Sequence, residues 1–134
     1  MNPPDHKNSA WTKSVIYKHD AAANHDTVLG SVLNFGPDGA LYLTANTAKA
    51  GEWGPVLRLT PTQYVSWQRS VVYQAAGFVP NGGVAFDAAS NIYGSENAAA
   101  GPVYRLKPYA AAGGATRWFF SSIYSFRSYS FICW

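Results

Sequence analysis

Cysteine is almost missing from this chain. Cys133 is the single thiol among 134 residues, so no internal disulfide can form and packing alone must hold the fold. Its place at the end of an apolar tail, with no basic neighbour, reads as a passenger thiol rather than a nucleophile. Charge is also sparse, with ten Lys and Arg against seven Asp and Glu. The Arg residues sit largely inside repeated blocks (Arg58 and Arg105 at one position, Arg69 in another), a pattern of strand rims rather than a nucleic-acid stripe, so no nucleic acid is expected as a partner. Histidine is confined to His6, His19 and His25, and no G-x-S-x-G elbow occurs, so no Ser-His-Asp arrangement is expected. No run approaches the roughly 18 apolar residues that a spanning helix requires, which predicts no membrane span. The N-terminal MNPPDHKNSA is polar and contains no signal-peptide stretch.

What the chain does contain is apolar and aromatic surface, at 48% and 16% of residues, ample for one compact core. Twelve Gly and eight Pro among those aromatics favour strands joined by turns. The chain also repeats itself. Trp is followed six residues later by Tyr at Trp11–Tyr17 (WTKSVIY), Trp67–Tyr73 (WQRSVVY) and Trp118–Tyr124 (WFFSSIY). Between these anchors FGPDGALY (Phe35 to Tyr42) returns as FDAASNIY (Phe86 to Tyr93), and GPVLRLTP (Gly54 to Pro61) returns as GPVYRLKP (Gly101 to Pro108). The Trp-to-Trp periods are 56 and 51 residues. Repeats of about 40 to 50 residues with strand-like content are the mark of a propeller blade or a related β-array.

Each block has a local reason to be a strand or a turn. SVIY and SVVY carry β-branched and aromatic residues that crowd a helix but fit a pleated surface. Leu33 and Phe35 alternate with Asn34, and Val84 and Phe86 with Ala85, which predicts one inward apolar face in each copy. PDGA at Pro37 to Ala40 offers Pro, Asp and Gly for a tight turn, and AASN at Ala88 to Asn91 offers Ser and Asn. PVLRL and PVYRL are third strands, stopped by Pro61 and Pro108. The Trp-to-Tyr segment is the fourth strand. The expected fold is therefore all-β, with propeller-like blades of four antiparallel strands: repeat 1 at about 18–73, repeat 2 at about 74–126, an extra N-terminal strand at Trp11, and a tail at 127–134. The Ala-rich pieces at Ala21, Ala98 and Ala110 read as loops, with room for a short helical turn in one of them.

The motifs GxVxxLxP (Gly101 to Pro108), W-x5-Y (Trp118 to Tyr124, continuing to Phe126) and GGVAFDAASNIYGS (Gly82 to Ser95) resemble the GloVer-type tandem repeat of large, surface-anchored bacterial proteins. The resemblance runs from Trp11 to Phe126. It implies a β-propeller-like array in an extracellular or cell-surface setting and implies no catalytic residue. Two features depart from it: family members carry many more repeats, and the tail SYSFICW matches nothing in their pattern. Two blades are too few to close a ring, since propellers typically use about 4 to 8. The expected partners are further copies of this chain or adjoining repeats of a longer array.

Chemistry-bearing clusters are few. KHDAAANHD, Lys18 to Asp26, places His19-Asp20 and His25-Asp26 close together, but the spacing fits neither a helical i,i+4 pair nor a closed zinc pattern. It reads as a solvated loop, and no metal or other cofactor is expected. Asp38 and Asp87 belong to the repeated turn, where Asp bonds the backbone. Glu52 and Glu96 are left, in loops after the second hairpin strand, beside Trp53 and Asn97. A carboxylate, an amide and an aromatic ring suit a sugar, so Glu52, Trp53, Glu96 and Asn97 are the candidate ligand-binding residues for a glycan. Trp11, Trp67 and Trp118 read instead as core packing at strand starts. The expectation is a non-enzymatic structural and interaction module of a surface or secreted protein, with a multivalent carbohydrate-binding propeller as the alternative.

Overall fold

A computed structural model describes residues 10–18, 20–29, 32–47, 49–63, 66–96 and 101–126. It is all-β apart from one helical turn, α1 (Ala21–Asn24), and one 3-10 turn at Ala112–Gly114. Asp20 Oδ1 accepts from the backbone N–H groups of Ala22 and Ala23 at 2.9 and 3.0 Å, and so nucleates a turn of helix in the first of the Ala-rich pieces. The rest forms two antiparallel sheets. In the first, β1 (Asp26–Leu29) and β2 (Asn34–Phe35) pair with opposite halves of β3 (Leu41–Thr47), which is followed by β4 (Pro55–Pro61) and β5 (Trp67–Gln74). The second runs in simple order through β6 (Pro80–Phe86), β7 (Ile92–Glu96), β8 (Pro102–Ala110) and β9 (Thr116–Ser125).

The two sheets share one register. Tyr42 faces Arg58 and Arg58 faces Ser70 in the first; Tyr93 faces Arg105 and Arg105 faces Ser121 in the second. Even the irregularity recurs: the third-to-fourth strand pairing slips between Val56 and Leu57 and again between Val103 and Tyr104. A bulge kept at the same point in both copies bends the fourth strand alike in each. The repeated turns close as their residue types require. Gly39 takes φ 75° and Ser90 φ 62°, and the carboxylates of Asp38 and Asp87 accept from the N–H two residues on, at Ala40 (3.2 Å) and Ala89 (2.9 Å).

The sheets stack face to face. Tyr42 and Val56 of the first and Val84, Ile92, Tyr104 and Leu106 of the second form the shared core, with Val72, Tyr73, Phe86, Trp118 and Phe120 packed around it. Polar bonds tie the layers together: Thr44 Oγ1 donates to Gly82 O at 2.9 Å, and Val84 N–H donates to Asn34 Oδ1 at 3.2 Å. A second cluster, Leu41, Leu43, Ala45, Leu57 and Leu59, lies on the outer face of the first sheet, where Ile16, Tyr17 and Trp67 pack on it.

Three expectations need correction. Trp11–Tyr17 is not a strand among the described residues; Thr12 makes one isolated bridge, although Ile16 and Tyr17 occupy the outer face much as Val72 and Tyr73 occupy the shared core. Trp11 is 61% exposed rather than packed, while Trp67 and Trp118 do lie partly buried against the cores. Finally, Leu33 and Phe35 are exposed, Phe35 at 70%, and Asn34 is the residue that reaches the second sheet. The matching Phe86 meets Tyr42 of the preceding sheet edge-on at 4.8 Å, whereas no preceding sheet stands opposite Phe35 among the described residues. The tail 127–134, with Cys133, lies outside the described residues, as do His19 and Asn97.

Candidate functional site

Two places deserve the name, and neither is where the sequence pointed. Glu52 sits in the turn after β3, with its backbone N–H donating to Lys49 O at 3.1 Å and its carboxylate ion-paired to Lys49. Trp53 is exposed, and its carbonyl accepts from the Gln74 side-chain amide. Glu96 ends β7 and lies against Gly101. By strand register Glu96 matches Ala45, not Glu52, because the loop between second and third strands is longer in the first unit. No hydrogen bond or ion pair among the described residues joins Glu52 to Glu96. The histidine-rich loop gives no group of three metal-ligating side chains among the described residues either.

The first place is the mouth of the groove between the sheets. There a cleft of about 540 Å³ is bordered by Asp38, Tyr42, Arg58 and Ser70 from one side and Phe86 and Trp118 from the other. Asp38 Oδ2 accepts from Arg58 Nε at 2.8 Å, from Arg58 Nη2 at 2.6 Å and from the Tyr42 hydroxyl at 3.0 Å. Burial pushes the Asp38 carboxyl up, but the bonds from Arg58, Ala40 and Tyr42 outweigh it and leave the pKa below the ordinary value. Tyr42 moves the other way, to about 12, through burial and its bond to the carboxylate. The cluster is therefore fixed in its charged form at neutral pH, with its acceptor oxygen already saturated by its own neighbours.

The second unit builds its turn differently. Asp87 stands where the first unit has Gly36, and Oδ2 accepts from Asn91 Nδ2 at 2.7 Å and from the Tyr93 hydroxyl at 2.8 Å. The Asn91 side-chain bond, opposed by partial desolvation and helped by the Asn91 and Ala89 N–H groups and by Tyr93, lowers its pKa to about 2. The folded value lies below the unfolded one of roughly 3.9, so this stabilisation is complete above that pH and is lost as pH falls toward the folded value. The melting temperature should fall with acidification from about pH 4 to about pH 2, and Asp87→Asn should flatten part of that fall. An unchanged slope in the variant would count against the assignment.

The second place is the outer face of the second sheet, the register equivalent of the face that the first sheet presses into the shared core. Val103, Arg105 and Lys107 alternate on it along β8, with Phe119, Ser121 and Tyr124 beside them on β9. Phe119 is 62% and Tyr124 58% exposed, where the equivalent Tyr73 is partly buried in the core. No family model, no characterised protein and no solved structure matches this chain. The reading of its function therefore rests on these faces. No helix among the described residues is long and apolar enough to cross a membrane.

Proposed function

We propose that this chain is a non-enzymatic, β-propeller-type structural and interaction module of a surface or secreted protein, assembling through its sheets. One observation carries this reading: the outer face of the second sheet is the equivalent, by strand register, of a face that packs against a neighbouring sheet inside the same chain. Exposed Phe119, Ile123 and Tyr124 on its last strand, with Phe126 just beyond it, form the kind of patch that marks an interaction surface. At the other end Leu33 and Phe35 are exposed in the same sense, so the unit has two unlike ends suited to head-to-tail contact with a further copy or an adjoining repeat. The GloVer-type resemblance supports the same role and a cell-surface setting.

Light scattering over a range of concentrations tests it. The mass should rise above the 14.5 kDa monomer, and Tyr124→Ser should lower that association at least several-fold. A concentration-independent monomer with a cooperative melt would sink the assembly. The alternative, carbohydrate binding, is favoured by one feature, the inter-sheet cleft, where Trp118 and Phe86 offer apolar rings beside the Arg58–Asp38 pair.

A further inference from the structure

We infer that the outer face of the second sheet is shaped for an acidic protein partner, one that displaces a second copy of this chain. The inference rests on the docking reading above and specifies its chemistry. Aligning the two sheets by register shows how the open face departs from the covered one. The first sheet carries Arg58, paired with Asp38, and toward its rim Thr60, Ser66 and Gln68; at the same positions the second sheet carries Arg105, Lys107, Arg117 and Phe119, and Ala89 replaces Asp38. Each of the first four positions either keeps its cation or gains a cation or a ring, and the carboxylate is lost.

The loss leaves groups without partners. Arg58 Nε donates to Asp38 and Ser70 Oγ donates to Arg58 O at 3.3 Å, but Arg105 Nε and Ser121 Oγ are buried with no hydrogen-bond partner among the described residues. The two sit directly opposite each other across β8 and β9. Asp87, the acid of this unit's turn, is already engaged by Asn91 and Tyr93. A buried N–H donor without a partner is costly, and a planar carboxylate suits the fork of the half-buried Arg105 guanidinium, which apart from Nε lies against the Tyr93 hydroxyl. Exposed Tyr109, Phe119 and Tyr124 around it call for apolar side chains next to that carboxylate. A second copy meeting it head to tail would present its exposed Leu33 and Phe35, which supply apolar contact and no carboxylate. Three cations are few for a polyanion, whose affinity comes from many phosphate contacts.

The full chain titrated with a labelled glutamate–tyrosine copolymer tests this, with polyglutamate, oligothymidylate and inorganic polyphosphate as comparisons. The copolymer should bind most tightly and should lower the self-associated mass; Arg105→Gln and Phe119→Ser should each weaken it about tenfold, and Lys13→Gln should leave it unchanged. Ala89→Asp, an exposed substitution that restores the first sheet's internal carboxylate, should weaken it comparably and keeps the test meaningful if Arg105→Gln fails to fold. Copolymer binding indifferent to Arg105 and Ala89, or tighter binding of oligothymidylate or polyphosphate, overturns the inference. Self-association that Tyr124→Ser lowers, together with no copolymer binding, would overturn the acidic partner alone and leave the docking reading standing.

Discussion

Tyr104→Ala should cost about 4 kcal/mol of unfolding free energy, with the denaturant slope unchanged. Tyr104 is 0% exposed at the centre of the shared core, with Phe78 and Phe120 ring centroids at 5.4 and 6.0 Å. Truncation would remove an aromatic payload and leave a void bounded by both sheets, whose backbones are held by ladders that cannot close over it. The hydroxyl contributes differently. It is buried with no hydrogen-bond partner among the described residues, and burial pushes its pKa upward, so it stays protonated and unsatisfied. Tyr104→Phe should therefore be neutral or stabilising by up to about 1 kcal/mol. Guanidinium unfolding of both variants separates packing from polarity, and a Phe variant as damaged as the Ala variant would refute the account.

The second large effect is expected at Gly54, where Gly54→Ala should destabilise by about 3 kcal/mol. A Cβ there would fall inside contact distance of the Ala45 carbonyl oxygen and 3.0 Å from its carbon. The obstacle is backbone, and Ala45 belongs to β3, the central strand that joins β1 and β2 to β4, so neither side can yield without losing pairing. Its counterpart Gly101 meets the Glu96 side chain instead, with Cβ at 2.8 Å and Cγ at 3.1 Å. That overlap is smaller than the one with the Ala45 carbonyl oxygen and is relieved by a lesser shift of the end of β7, so Gly101→Ala should cost less. Equal losses, or a Gly54 variant within about 0.5 kcal/mol of the native chain, would contradict this.

Much of the local structure was legible because its causes are local. Asp38 and Asp87 bond their turn backbones as Asp does wherever a tight turn follows it, and the Pro-Val and Trp-to-Tyr segments pair at equivalent positions in both copies. Leu33 and Phe35 were misread because alternation identifies an apolar face without saying whether anything stands opposite it. Trp11 was misread for a related reason: its motif matches Trp67 and Trp118, but those lie in strands of complete sheets and Trp11 does not. Glu52 and Glu96 follow their hairpins in the sequence alike, but strand register sets Glu96 against Ala45 because the loops between second and third strands differ in length. The significance of Arg105 could have been found in sequence by setting GPVYRL against GPVLRL and noticing Ala89 in the place of Asp38. The absent carboxylate acquires meaning only when Arg105 Nε is seen to be buried and unpaired.

By itself, then, the amino-acid sequence determined the strands, their turns and the likeness of the two units, since side-chain alternation and turn chemistry act over a few residues. The tertiary structure alone decided which of two matching faces is covered and which is left open. Burial depends on what lies across a gap of about 10 Å between sheets, and that neighbour comes from a distant stretch of chain, or from another molecule.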